Sequence, residues 1–528
     1  MNILDKIIGQ IAPRAALQRT LARKQLEIVN SGYSGHGASH TKKSMIGWRS
    51  RGGSAKEDIE DNLPTLRERS RDLYMGIPLA TGALKTARTN IVGSGLRLNA
   101  QIDYEYLGMT EEEADIWETK LEREFSLWAD SIHSDVQRMN NFYEIQQLAF
   151  LSQLMSGDVF ALLPLIKRPN MPYDLRVRLI EADRVCNPNT YSPYTTSTDP
   201  TIVNGVEINK TGEVVAYHFA QVHPSATFGK ENQSWVRVEK FGSKTGRPNV
   251  IHLMESERPE QRRGVPILAP VIESLKQLGR YTEAELMAAV VSGMFTVFIE
   301  TQTPNEDRPI GEAVDDEQRI DDADENSYEL GNGAMIALGE NEKANAVNPG
   351  RPNTAFDGFV TAVCRQIGAA LEIPYELLMK HFTASYSASR AALLEAWKMF
   401  RMRRSWMAND FCQPIYEEWL SEAVAKGRIY APGFFTDPMV RKAYCGAEWN
   451  GPSQGQLDPL KEVKAAAQRV DEGFSTRQRE TVELTGGDWY RNHRQRVVEE
   501  KLRKEGGLIS VQPQPEDGEE VKKSEEED

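Results

Sequence analysis

The chain has 528 residues, 40% of them hydrophobic and 27% charged, with a formal net charge of −14. That length holds about two to four domain-sized units and a substantial core. The acidic balance excludes a protein whose whole surface grips nucleic acid, though not a local basic strip, and no apolar run approaches the length of a membrane-spanning helix. The N-terminus lacks the apolar stretch and small-residue cleavage site of a secretory signal. The four cysteines, Cys186, Cys364, Cys412 and Cys445, show no C-x-x-C spacing and read as buried thiols of a reducing compartment.

Residues 30–60 are rich in Gly, Ser and Lys and read as a flexible arm, with order beginning near Leu63. A helical pattern fills much of 64–92 and stops at Gly93. Thr110 with Glu113 spells a capping box, opening a helix that carries Trp117, Leu121, Phe125 and Trp128 on one side. Asn141 and Glu144 open another helix that ends at Gly157. Short β-rich runs follow at 159–166, 175–180, 214–220, 235–241 and 250–254, separated by Pro, Gly, Asn and Ser clusters. They predict a mostly antiparallel sheet, so the fold class is α+β. A helical stretch resumes from Gly264 to about Ser292.

The segment 300–342 is strongly acidic. Glu312, Asp315, Asp316, Glu317, Asp321, Asp322, Asp324 and Glu325 form its centre, against only Arg308 and Arg319. Residues 330–338 supply turn residues and then a strand pattern. The spacing therefore predicts a folded excursion that leaves on one helix and returns on another.

Two helices joined by a short polar loop come next. Phe356, Phe359, Val360, Val363, Ile367, Ala370 and Leu371 make one apolar stripe on a 3.6-residue period, which runs out at Pro374. The loop holds Lys380, His381, Phe382, Thr383, Ser385, Tyr386 and Ser387. A longer periodic segment starts near Ala388 and ends at Gly427, with Leu393, Trp397, Phe400, Met407, Phe411 and Ile415 on one face. Pro414 should kink or break it near its end. Its outer face is predicted to carry Arg390, Lys398, Arg401, Arg403 and Arg404. Those arginines suit nucleic acid, a solvated face, or acidic residues of a neighbouring subunit, and spacing does not choose among them. A hydroxyl-rich loop between long helices suits repeated weak contact with something that slides past, and does not look like a catalytic pocket. Further helices include Asp458, Leu460, Val463, Ala466 and Val470 in one and 495–503 in another; the Pro-, Glu- and Lys-rich tail from Glu505 reads as disordered.

Fragments that imitate chemical motifs each fail on a named residue. Gly242-Ser243-Lys244-Thr245 lacks both glycines that a phosphate-binding loop requires. Asp322-x-Asp324-x-Asn326 begins like a calcium loop, but Ser327 and Gly333 stand where Gly and a bidentate Glu belong. Gly32-Tyr33-Ser34-Gly35 has His36 where a nucleophile elbow closes on Gly. Glu181, Asp183 and Arg184 read as a strand-end salt bridge rather than a carboxylate site. No histidine pairs at metal-binding spacing, and no catalytic set or cofactor motif emerges.

The order of elements resembles the portal proteins of tailed bacteriophages, specifically the lambda-type family, from about Leu63 to Gly473. The resemblance is carried by 362–378 (AVCRQIGAALEIPYELL) and 385–397 (SYSASRAALLEAW), with 181–189 (EADRVCNPN), 205–217 (GVEINKTGEVVAY) and 449–465 (WNGPSQGQLDPLKEVKA). It implies a ring of about twelve subunits at one capsid vertex, through whose channel DNA is packaged and released. It implies an N-terminal arm over 1–62, a mixed α/β wing over 63–264 and a first stem helix over 265–299. The acidic clip would span 300–350 and the second stem helix 351–379. A tunnel loop over 380–388, a long wing helix over 389–427, C-terminal wing and crown helices over 428–504 and a tail over 505–528 complete it.

By the same resemblance, Lys380, His381, Phe382, Thr383, Ser385, Tyr386 and Ser387 line the channel. Glu312, Asp315, Asp316, Glu317, Asp321, Asp322, Asp324 and Glu325 face the packaging ATPase, the terminase large subunit, and later the neck proteins. Major capsid and scaffolding proteins would be further partners, in a virion assembled in a bacterial cytoplasm. An acidic chain repeated around a ring gives a conduit that mostly repels DNA. The alternative is a head–tail adaptor or minor capsid component, which a stem–clip–stem order in so long a chain disfavours.

Overall fold

The structure, a computed structural model, describes residues 52–188, 201–228, 233–293, 297–301, 342–346, 355–382, 385–456 and 458–508, with isolated positions before Gly52. The arm before Gly52, with its elbow-like Gly32–Gly35, lies almost wholly outside them. So do the whole centre of the acidic segment and the tail beyond Leu508. The chain divides after Asp58 into two units. In the first, Ala55–Asp58 forms a single helical turn, headed by a reciprocal pair between Ser54 and Glu57.

The second unit opens with helices α1 (Leu63–Gly76) and α2 (Pro78–Ile91). The helical pattern read over 64–92 is two helices: Pro78 has no N–H to donate and Ile77 is extended at φ −112°, so the chain breaks between them. Strand β1 (Arg97–Ala100) follows, then α3 (Glu111–Ala129) and α4 (Phe142–Ser156). The predicted capping box at Thr110 forms, and the helix opened by Asn141 has one too. Thr110 Oγ1 accepts from Glu113 N–H while Glu113 accepts from Thr110 N–H, and Asn141 pairs with Glu144 likewise.

The β-rich region folds as two antiparallel sheets rather than one. Strands β2 (Asp158–Leu162), β3 (Arg178–Glu181) and β8 (Val250–Met254) make the first, with β2 central. Strands β4 (Ile202–Val203), β5 (Val206–Ile208), β6 (Val214–Ala220) and β7 (Trp235–Glu239) make the second in sequence order. The two meet where Phe160 packs edge-on against Tyr217 at 5.3 Å and Phe219 at 5.9 Å. The Gly242-Ser243-Lys244-Thr245 sequence is a turn between β7 and β8, closed by Gly246 N–H donating to Gly242 O, with no helix behind it.

Helix α5 (Ile272–Gly293) leads into β9 (Val297–Thr301), which pairs antiparallel with β10 (Glu342–Ala346) before α6 (Phe356–Ala370) returns. The excursion thus leaves and re-enters across one two-stranded ribbon, Val297 opposite Ala346 and Thr301 opposite Glu342. Tyr281 of α5 packs on Phe356 and Phe359 of α6 at 5.5 and 5.1 Å. Helices α7 (Tyr375–Met379), α8 (Tyr386–Met407), α9 (Gln413–Ala425) and α10 (Pro438–Tyr444) follow, then β11 (Ala447–Asn450). The C-terminal helices are α11 (Pro459–Asp471), α12 (Arg477–Thr485) and α13 (Trp489–Glu505).

The expected long wing helix is therefore two helices joined by a π turn over Ala408–Cys412. Pro414 brings no N–H and would press its ring on the carbonyl four residues back; the widened turn just before it accommodates both. The core runs through this junction. Phe125, Trp128, Phe142, Tyr416 and Trp419 form one buried aromatic group, and β1 pairs with β11, joining positions some 350 residues apart.

Candidate functional site

The predicted polar loop is built by a helix that has to stop. In α6 the apolar stripe buries Cys364 and Ile367, while Phe359 stays half-exposed beside Tyr281. The helix ends at Ala370, earlier than the sequence suggests. Glu372 takes a left-handed φ of 57°, and Ile373 folds back so that its N–H donates to Gly368 O at 2.9 Å. A Cβ on Gly368 would lie 2.6 Å from Ile373 O, so only glycine permits this return. Pro374 then sets the short helix α7, which spacing alone did not reveal.

Lys380 ends α7 in the left-handed conformation, φ 54° and ψ 37°, its N–H donating to Glu376 O. That backbone turns Lys380, His381 and Phe382 into solvent, and Phe382 is 52% exposed. Thr383 and the Tyr386 side chain lie outside the described residues. Ser385 is the N-cap of α8, its Oγ accepting from Ala388 N–H at 3.4 Å, and Ser387 is exposed on the first turn. The loop thus offers an ammonium, an imidazole, an aromatic ring and hydroxyls at one surface. Among the described residues, no group of His, Cys, Asp and Glu is placed to hold a metal ion.

The arginines of α8 do not share one outer face. Arg390 and Arg401 are partly exposed and lie 3.7 Å from Glu462 and 3.6 Å from Glu483. Arg403 turns inward, 11% exposed, between Glu255 at 3.6 Å and Glu372 at 3.4 Å. Arg404 caps the end of α2 instead. Its Nε donates to Ile91 O at 3.0 Å and its Nη2 to Asn90 O and Pro452 O at 2.9 and 2.8 Å, with Trp397 beneath the guanidinium. Burial, then Arg401, brings it down to about 10. The turn outward predicted for Arg403 and Arg404 is corrected here: helical phase places both against the body of the unit.

The acidic positions Glu312, Asp315, Asp316, Glu317, Asp321, Asp322, Asp324 and Glu325 all lie outside the described residues, as does the calcium-loop-like stretch. The strand-end group behaves as expected in part. Asp183 makes a bidentate pair, but with Arg71 of α1 at 2.8 and 2.9 Å, while Arg184 binds the carbonyls of Ala220 and Gln221.

One charged group escaped the sequence altogether. Asp158, fully buried at the start of β2, accepts from Arg67 at 3.0 Å, Arg263 at 2.6 Å and His252 at 3.1 Å. Burial alone would raise its pKa, but Arg263 and Arg67 together drive it far below the ordinary carboxylate range. Beside it Gly157, at φ 91°, and Gly264 touch backbone to backbone, with no room for a Cβ on either. Because the partners stand 91 and 105 residues from Asp158, no local spacing announces them.

Residues 41–404 match the family described as phage portal protein, lambda family. The portal protein B of Escherichia phage lambda is 25% identical over 496 residues, covering 90% of this chain and 91% of its own. The portal protein of Escherichia phage N15 is 25% identical over 500 residues, with the same shares covered. A solved chain from the neck of an empty GTA particle spans 84% of this chain and 97% of its own at 12% identity and a TM-score of 0.43. The chain belongs to the lambda family of phage portal proteins.

Proposed function

We propose that twelve copies of this chain form a ring at one vertex of a capsid, and that duplex DNA crosses its axial channel during packaging and ejection. The carrying observation is the paired helices α5 and α6, between which the chain leaves and re-enters across the β9–β10 ribbon, with Lys380, His381 and Phe382 exposed after α7. Relatives named as portal proteins match along nine-tenths of the chain, which supports reading these elements as stem, clip and tunnel loop.

In this reading Lys380, His381, Phe382, Thr383, Ser385, Tyr386 and Ser387 border the DNA path. The carboxylates from Glu312 to Glu325 meet the terminase large subunit and then the neck proteins, while the wing meets major capsid and scaffolding proteins. The role is structural and calls on no catalytic group or cofactor. Assembly takes place in the bacterial cytoplasm and the product resides in the virion; among the described residues, no helix is long and apolar enough to cross a membrane. Negative-stain imaging of the purified chain tests the reading. Twelve-fold rings with a central hole are the expected result, and a monomer at high concentration overturns it.

A further inference from the structure

Arg403 stands where α8 passes between two parts of the fold. Its side chain is 11% exposed, and its Nε is sealed from water and meets no acceptor. The two terminal nitrogens carry its contacts. Nη1 lies 3.6 Å from Glu255, just after β8, and Nη2 lies 3.4 Å from Glu372, between α6 and α7. Both separations are long for a hydrogen bond, so charge rather than bond geometry makes this junction.

The two carboxylates also act on each other. Burial lifts Glu255 above the ordinary carboxylate value, Arg403 draws it down, and Glu372 and Glu257 push it up again. With Arg403 in place, one guanidinium holds the β8 exit and the α6–α7 turn together. Without it, two like charges would face the same gap.

The place of the exposed loop depends on Glu372. Its φ of 57° is a left-handed conformation that residues with a Cβ rarely adopt, so the turn persists only where its surroundings hold it. Little freedom remains between that turn and the loop. Ile373 is buried and bonded to Gly368 O, and the N–H groups of Leu377 and Leu378 donate to Pro374 O at 3.0 and 2.9 Å. Leu378 is buried, and His381 N–H donates to Glu376 O at 3.0 Å. A shift at Glu372 therefore carries α7, Lys380, His381 and Phe382 with it. Glu372 is half-exposed, and pairing it with a freely moving surface arginine would hold it only weakly. Arg403 is already fixed by the packing around it, so less side-chain freedom is lost in making the contact.

We propose that Arg403 is the positioning residue of this loop. By holding Glu372 against the Glu255 segment it sets where Lys380, His381 and Phe382 stand, a role beside the DNA path that rests on the channel reading.

Hydrogen exchange of the full-length protein, followed at the Ile373, Leu378 and His381 amides, tests this. Arg403→Met keeps the buried stem without the charge and should speed exchange there about tenfold. Arg403→Lys should stay within about twofold of wild type, because at these distances an ammonium supplies the same charge. Adding Glu255→Gln to Arg403→Met should slow exchange again by about threefold, since it removes the repulsion. An arginine needed only for its packing would show neither the rescue by lysine nor the rescue from Glu255. Unchanged exchange in Arg403→Met, exchange in Arg403→Lys as fast as in Arg403→Met, or no slowing on adding Glu255→Gln overturns the proposal. If Arg403→Met fails to fold, the half-exposed Glu372→Gln decides. Exchange about threefold faster at the same amides is then expected, and a wild-type rate overturns it. Imaging of the wild type judges the channel reading separately: without rings that reading fails, while exchange still decides whether Arg403 holds the turn.

Discussion

Arg263 brings its Nε within 2.6 Å of Asp158 Oδ2, both side chains sealed from water, and from the same guanidinium reaches the carbonyls of Ala182, Val185 and Asn204. A single residue after β8 thereby fastens β2, the β3 exit and the start of the second sheet, while Arg67 ties α1 to the same carboxylate. Removing one partner of such a group leaves buried charge unmet, so Asp158→Asn is expected to cost about 3–5 kcal/mol. Urea unfolding monitored by tryptophan fluorescence checks it. The pH dependence has a fixed sign. Asp158 is depressed in the fold, so its contribution is present above the unfolded value near 3.8 and is lost as pH falls below it toward the much lower folded value. Wild type should lose urea resistance on acidification below about pH 4, and the variant should lose less.

Glu118 and Glu122 give the opposite slope. One turn apart on α3, they accept from the N–H groups of Ile102 and Ala100 at 2.8 and 2.9 Å and so hold the β1 segment on the helix. Burial raises each from 4.5 to about 7. A raised carboxyl contributes most below its unfolded value and loses that contribution as pH climbs through the folded one. The Glu118→Gln/Glu122→Gln double variant keeps an acceptor oxygen for each N–H without the ionisation. It should be more stable than wild type at pH 8 by about 1 kcal/mol per site, discounted for the water that reaches both groups, and no more stable at pH 4.5. Thermal melts at the two pH values decide.

Local rules were legible in the sequence and distant ones were not. Thr110–Glu113 and Asn141–Glu144 act within one turn, and both helix starts fall where those residues stand. The strands at 214–220 and 250–254 follow β-branched runs bounded by turn residues. The apolar face of α8 through Trp397, Phe400 and Met407 holds in the fold because a 3.6-residue period needs no partner to be read. Arg403 and Arg404 defeat the same rule. They sit on the polar side of the pattern, yet neighbours from α2 and from the segment after β8 enclose them. Helix α7 was hidden by its length, five residues being too short for any period to show. At the candidate site the position of the loop was legible, whereas Ser385 as an N-cap and Lys380 as a left-handed stop needed the backbone.

Arg404 is expected to matter as a cap. Arg404→Met keeps much of the volume and the contact with Trp397 but withdraws three hydrogen bonds from the carbonyls of Asn90, Ile91 and Pro452. The loss should be about 2–3 kcal/mol, and Arg404→Lys should not restore it, since one ammonium cannot reproduce the fork. Hydrogen exchange at the end of α2 should accelerate in both variants. Exchange confined to α8 would contradict the capping role.

The acidic excursion is predicted to dock a basic partner surface. Changing Glu312, Asp315, Asp316, Glu317, Asp321, Asp322, Asp324 and Glu325 to amides should weaken terminase binding and flatten its dependence on salt, while rings still form. Pull-down of the packaging ATPase at low and high salt measures it, and binding equal to wild type at both rules the docking role out.

The loop after α7 makes the sharpest functional prediction, because its two residue classes act differently. Lys380 pays a steric penalty of roughly 1 kcal/mol for its left-handed backbone, so Lys380→Gly should slightly stabilise the chain while removing a cation. Ser385→Ala removes the N-cap of α8 and should cost about 1 kcal/mol without touching charge. If the loop meets moving DNA, Lys380→Gly and His381→Ala should lower packaging yield or the retention of packaged DNA although the rings are as stable as wild type. Ser385→Ala should act through stability alone. Wild-type packaging and retention in a Lys380→Gly/His381→Ala double variant would show that the loop only narrows the path and does not touch what passes through it.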